Sequence, residues 1–118
     1  MWWRIGAIAC GLSVALGAFG AHGLQKFIDD PHRIVIWETA ARYQMFHGLA
    51  ILLSQATRRV GSRSNPWFLV GIIVFSGSLY ALALSGILIL GAITPIGGVC
   101  LLVGWALLAW DGIKPDST

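Results

Sequence analysis

A chain of 118 residues that is 57% hydrophobic and 11% charged departs from soluble domains, which carry about 25% charged residues. That much apolar surface does not fit inside one soluble core of this length, so lipid is the expected solvent for most of it. The formal charge of +3 does not make a nucleic-acid binder, because the basic residues form no stripe interleaved with aromatics.

The first apolar run, 3–21, is long enough to cross a bilayer, which takes about 20 residues. Its short basic start and the small residues near Gly20 resemble a secretory signal, but the run is expected to remain as a true span. It closes on "GAFGAHGL", residues 17–24, which sets His22 among small residues at the end of an oily stretch. "LQKFIDDPHR" follows and reads as a loop. Asp30 before Pro31 is an N-cap followed by proline at the first helical position, so a second helix is expected from Pro31 to about Thr57. Its first turns carry Arg33, Glu38 and Arg42 and are expected in or above the headgroup layer, with the membrane part at 40–57. Glu38 and Arg42 are four apart and can pair. "RRVGSRSNP", 58–66, is a loop, and a third span is expected over 67–90. In "GAITPIGG", 91–98, Thr94 and Pro95 read as N-cap and first helical residue of a fourth span, 94–110, followed by the polar tail "DGIKPDST". The prediction is one all-α domain, a four-helix transmembrane bundle with no internal repeat.

Basic residues near span ends set orientation. Arg58, Arg59 and Arg63 share a side with Arg4 and Lys114 and outnumber Lys26, Arg33 and Arg42 on the other. Both termini and loop 58–66 are therefore expected in the cytoplasm. Trp2, Trp3, Trp67 and Trp110 would lie at that same interface.

Cys10 and Cys100 sit in apolar runs and read as membrane-buried thiols, neither a disulfide pair nor metal ligands. Without a hydrophobic drive between helices, small residues must let them approach. Rows at four-residue spacing occur at Ala7, Gly11 and Ala15, at Ser13, Gly17 and Ala21, at Gly77, Ala81 and Ser85, and at Cys100 and Gly104. They are expected to pack the chain's own bundle. Two such faces on the first helix point also to self-association or to another membrane protein.

Polar residues within the spans carry what functional signal there is. Counting about 1.5 Å per residue from Arg58 and Arg4 puts His47 roughly 16 Å and His22 roughly 27 Å from the cytoplasmic surface. That separation is too great for one metal or a haem, and neither a metal nor a cofactor is expected. Thr39, Tyr43, His47 and Ser54 form one face of the second helix, with Gln44 and Gln55 on an adjoining face. This stripe is expected to point inward, with His22 capping its outer end and His47 buried and neutral. One reading of it is a hydrated path or small ligand pocket. The simpler and weightier reading is a network of hydrogen bonds between helices.

"GAFGAHGL", "WETAARYQMFHGLAIL", "GSLYALALSG" and "GAITPIGG…GW", in that order over nearly the whole chain, resemble domain-of-unknown-function family four-two-three, small four-helix membrane proteins. The resemblance implies a bacterial inner-membrane protein or an organelle equivalent and implies no established activity, catalytic residue or cofactor. The shared motifs contain His22, Tyr43, Gln44, His47, Tyr80, Thr94, Pro95 and Trp105, the candidate site residues.

The spans hold no paired carboxylates, nucleophile–base pair or metal-ligand cluster, so an enzyme is not expected. The expected function is that of a non-enzymatic accessory, assembly or structural component of the membrane. The alternative is an oligomeric small-solute or ion transporter or channel that uses the second-helix stripe.

Overall fold

Four helices account for the architecture of the computed structural model, which describes residues 1–57 and 63–113. Helix α1 is Trp2–His22, and a short 3-10 turn, Leu24–Lys26, leads out of it. Helix α2 is Pro31–Ala56. Helix α3 is Ser64–Ser85 and contains one π-helical turn, Ile72–Ser76. A 3-10 segment, Leu88–Ala92, precedes α4, Thr94–Ile113. The stretches Trp2–His22, Ser64–Ser85 and Leu88–Asp111 are each long and apolar enough to cross a membrane. Of the basic residues that set the expected orientation, Arg58, Arg59 and Lys114 lie outside the described residues.

The start of α2 follows the sequence closely. The Asp30 carboxylate accepts from the His32 backbone N–H at 2.9 Å, with Pro31 at the first position. The bounds of α3 differ from expectation at both ends. It begins at Ser64, because Ser64 and Asn65 are wholly buried and helical. It stops at Ser85 and not near Leu90, because Gly86 takes the left-handed conformation, φ 71°, which only glycine adopts cheaply. The Arg33 guanidinium then caps the helix. Its Nε donates to the Ala83 carbonyl at 2.8 Å and its Nη2 to that of Leu84 at 2.7 Å, two acceptors a helix C-terminus leaves unsatisfied. At its far end α4 runs past Trp110, and Asp111, expected in the tail, is buried and ion-paired with Arg63 at 2.6 Å.

Helix α2 sits at the centre and, together with α3, supplies most of the buried residues. Two rows at seven-residue spacing face its neighbours: Trp37, Gln44 and Ile51, and Ala40, His47 and Ser54. Seven residues are close to two turns, so such rows stay on one face where four-residue steps drift away. Ala9, Ala50, Ile51, Phe68, Ile72 and Leu101 form one apolar cluster, and Leu24, Ile28, Trp37 and Ala83 form another nearer the other end of α2. The first helix meets α2 through Gly6, Ala9, Ser13 and Gly20. Gly20 lies against the Trp37 indole, whose Nε1–H donates to the Leu16 carbonyl at 2.7 Å. This is what the small residues around His22 accommodate. Ala7, Gly11 and Ala15 are exposed, as are Gly77, Ala81 and Ser85, so neither of these rows packs this bundle. Gly104 does, against the Phe68 ring.

The π turn has a geometric cause. Phe68, Ile72, Ser76 and Tyr80 all turn toward α2 at steps of four residues. Each such step overshoots an ordinary helical turn by about 40°. One wide turn takes up the excess and keeps both halves of α3 facing α2. It also brings the Phe75 backbone against Gly97 of α4.

Candidate functional site

Two polar nodes occupy the interior of the bundle. In the first, Gln44 joins three helices: its Nε2 donates to the Ala9 carbonyl of α1 at 2.9 Å, and its Oε1 accepts from the Tyr80 hydroxyl of α3 at 2.8 Å. One turn away, Ser76 of the π turn donates to the Ala40 carbonyl at 2.8 Å. The Tyr80 ring rests edge-on against Trp37, 4.6 Å between centroids.

His47 is the centre of the second node and is 5% exposed. The Trp105 indole N–H donates to its Nε2 at 2.9 Å. Its Nδ1 lies 2.6 Å from the Tyr43 carbonyl one turn back. Indole nitrogen only donates and a carbonyl only accepts, so Nδ1 carries the proton and Nε2 is bare. The imidazole is the neutral Nδ1–H form with both nitrogens satisfied. Phe68 and Trp105 flank it at 5.6 and 5.7 Å.

A groove of about 690 Å³ opens beside this node, between α2 and α4. Tyr43, Phe46, His47, Pro95, Val99 and Trp105 are among its walls. Phe46 and Val99 are more than half exposed, so the groove opens sideways toward lipid and not along the bundle axis. A smaller cleft of about 390 Å³ lies between α1 and α3, with Gln44, Ser76 and Tyr80 among its lining residues.

The structure thus gathers His47, Tyr43, Pro95 and Trp105 at one groove and Gln44 with Tyr80 at another node. Tyr43 is 38% exposed and lies tilted against Phe75, 4.8 Å between ring centroids, at the groove wall and not inside the bundle as expected. Gln55 is exposed and Thr39 bonds within its own helix, to the Val35 carbonyl. Thr94 begins α4, but its hydroxyl shares a hydrogen with that of Ser78 at 2.6 Å. It thereby ties α4 to α3 and does not serve as the expected cap. His22 is exposed on the last turn of α1 and joins neither node. Its expected place at the outer end of the stripe is taken by Trp37, which bonds back to α1. Among the described residues no three His, Cys, Asp or Glu side chains are gathered as a metal requires.

Further polar ties between helices escaped the sequence reading. Ser54 donates to Asn65 Oδ1 at 2.9 Å, and Ser64 Oγ and Asn65 Nδ2 are buried without a partner among the described residues. Sequence offered one signal for these residues, their position in an apparent loop immediately before Pro66. Arg42 is exposed and Glu38 half-buried. They border a crevice of about 260 Å³ between α1 and α2, together with Ser13, Gly17, Ala41 and Met45.

The chain matches the family model "Protein of unknown function (DUF423)" over residues 16–98. A UPF0382 membrane protein of Staphylococcus aureus (strain bovine RF122 / ET3-1) is 48% identical over 108 residues, 88% of each chain. UPF0382 membrane protein YwdK of Bacillus subtilis (strain 168) is 41% identical over 116 residues, 93% of this chain and 94% of YwdK. A UPF0382 membrane protein of Schizosaccharomyces pombe (strain 972 / ATCC 24843) is 42% identical over 113 residues, 90% of this chain and 96% of its own. No solved structure matches. A four-helix bundle with three apolar helices long enough to span, matched this fully by membrane proteins, is a membrane protein that belongs to the DUF423 family.

Proposed function

We propose that this protein is a non-enzymatic, multi-pass component of the bacterial inner membrane that works beside other membrane proteins as an accessory or assembly factor. The observation that carries the reading is the commitment of the buried polar groups. Gln44 bonds to Ala9 and Tyr80, and His47 to Trp105 and Tyr43. At these two nodes the interior groups are spent on one another, which holds helices together and leaves neither His47 nitrogen free to relay a proton. The groove beside His47 opens to lipid, which suits contact with a neighbour in the membrane better than transport across it. Purification of the full chain in mild detergent from native membranes is expected to recover other membrane proteins in fixed ratio. Recovery of the chain with lipid alone would overturn the accessory role.

In reconstituted vesicles, wild type, His47→Ala and His22→Ala are expected to show the same ion and proton leak as empty vesicles. A specific wild-type flux abolished by His47→Ala would replace the accessory reading with that of a transporter.

Both termini and the 58–62 linker are assigned to the cytoplasm from the arginine bias. In a background without Cys10 and Cys100, Asp29→Cys is expected to react with a membrane-impermeant thiol reagent in intact cells, since Asp29 is exposed. Ser62→Cys is expected to react only after lysis. The reverse pattern would invert the topology. Ser64 is not a usable probe, because it is fully buried.

A further inference from the structure

The cleft between α1 and α3 holds about 390 Å³. Ile8 and Leu12 of α1 and Ile73 of α3 form its rim, and each is more than half exposed, so the cleft opens sideways into lipid. Its floor is polar: Gln44 and Ser76, at 5% and 1% exposure, with Tyr80 beside them. Small-molecule sites share this make-up, apolar walls around a few placed polar groups, and start at about 300 Å³.

The bonds within the bundle use only half of the Gln44 side chain. The Ala9 carbonyl can only accept, which fixes the end of the carboxamide facing α1 as Nε2. That nitrogen carries two N–H groups, and Oε1 has two lone pairs. One N–H goes to Ala9, and one lone pair takes the Tyr80 hydroxyl. Among the described residues no acceptor meets the second N–H. An N–H without an acceptor is costly in hydrocarbon, and rarer in proteins than an oxygen with a lone pair to spare. The larger groove between α2 and α4 has no such vacancy at His47, where both ring nitrogens are paired.

Depth decides which acceptor can arrive. Ala9 stands seven residues in from the start of α1, Trp2–His22, and Tyr80 five from the end of α3, Ser64–Ser85. These are about 10 Å and about 8 Å of helix. Gln44 itself is at the middle of α2, Pro31–Ala56. The carboxamide therefore lies within the hydrocarbon, away from the ester carbonyls and phosphates that a phospholipid keeps at the interface. A ligand that reaches it must dissolve in lipid, carry an acceptor, and have no charged headgroup to hold it at the surface.

We propose that this cleft binds the ring of a lipid-soluble quinone. One quinone carbonyl accepts the second Gln44 N–H, and the apolar tail leaves through the open side of the cleft into lipid. A quinone brings acceptors and no donor, which matches a floor that is short of an acceptor. Its flat ring suits a narrow space between two helices that both rest on α2. The proposal is one of binding and goes beyond the accessory role, and neither depends on the other.

The test uses the purified full chain in phospholipid vesicles. The probe is decyl benzoquinone with a photoreactive diazirine in its tail, and the labelled residues are located by mass spectrometry. Labelling is expected on residues 8–12 of α1 and 73–77 of α3. Excess decyl benzoquinone is expected to remove it, and decylbenzene, with a six-membered ring and the same tail but no carbonyl, is not. Gln44→Met is expected to lower the labelling about tenfold, the loss of one hydrogen bond in apolar surroundings. That change also cuts the ties to Ala9 and Tyr80, so a second variant leaves them whole. Gly77 lines the cleft and a Cβ there meets nothing within 4 Å. Gly77→Leu therefore fills the cleft without moving its neighbours and is expected to abolish labelling. Val99→Phe, in the larger groove, is expected to leave labelling unchanged. Absent labelling, labelling that decylbenzene competes away or that survives Gly77→Leu, or labelling at Val99 and Trp105 instead would overturn the proposal. So would equal displacement of the probe by decanol, which would assign the cleft to a hydroxyl ligand. No partner protein enters this measurement, so its failure leaves the accessory role untouched.

Discussion

Gly97→Ala is expected to lower the free energy of unfolding by about 2–3 kcal/mol, a large effect for one methyl group. A Cβ at this position would lie 2.7 Å from the Phe75 Cα and 2.8 Å from its Cβ, and closer still to its backbone nitrogen. The obstacle is main chain and cannot rotate away. Helices α3 and α4 must therefore separate, and the packing that binds helices in lipid falls steeply with distance. Alanine favours a helix over glycine by about 1 kcal/mol, so the strain has to exceed that gain for the variant to be weaker. Gly11→Ala is the matched control. A Cβ there meets nothing within 4 Å, and the variant should be as stable as wild type or slightly more so. Equilibrium unfolding in mixed micelles compares the two, and a Gly97→Ala protein no weaker than Gly11→Ala would contradict the close approach.

His47→Ala is expected to cost about 2–3 kcal/mol, more than a single intramembrane hydrogen bond, which averages about 0.6 kcal/mol. The excess has two sources. The imidazole fills the space between Phe68 and Trp105, so its removal leaves a void in a packed region. The Trp105 N–H also loses its acceptor in apolar surroundings. His47→Phe separates the two sources. It keeps a ring against Phe68 and Trp105 and loses only the acceptor, and is expected to cost about 1 kcal/mol. Unfolding curves for the three proteins give the comparison. Equal stability of His47→Ala and wild type would show that the second node does not hold α4 to α2.

Features set by neighbouring residues were readable in the sequence. The four helices, the Asp30 cap with Pro31, and the burial of His47 follow from local composition and spacing. Features set by contact between distant segments were not. The expected inward face joined Thr39, Tyr43 and His47 by steps of four, a row that winds around a helix of 3.6 residues per turn. The true rows step by seven, which puts Gln44 inside and turns Tyr43 to the groove wall. The cap that Arg33 places on α3 was not readable, because its acceptors, the carbonyls of Ala83 and Leu84, are some fifty positions away. His22 shows the converse. Its position near the end of the span is as expected, but among the described residues it meets no polar partner.

The π turn of α3 fixes something that composition does not, the length of the polypeptide between two contacts. Phe68 meets His47 and Tyr80 meets Gln44, and the twelve-residue interval includes one residue more than an unbroken α-helix would use to link those two faces. Deleting one residue of 72–76 would restore a regular turn and keep Phe68 and Tyr80 on one face, whereas inserting one would swing Tyr80 and Ala83 about 100° around the axis. The Tyr80 hydroxyl would leave Gln44, and the carbonyls capped by Arg33 would leave its reach. Substitution is open to this stretch so long as size is kept, whereas a single-codon insertion there uncouples one half of α3 from α2. Gains of length in descendants of this gene have to fall elsewhere.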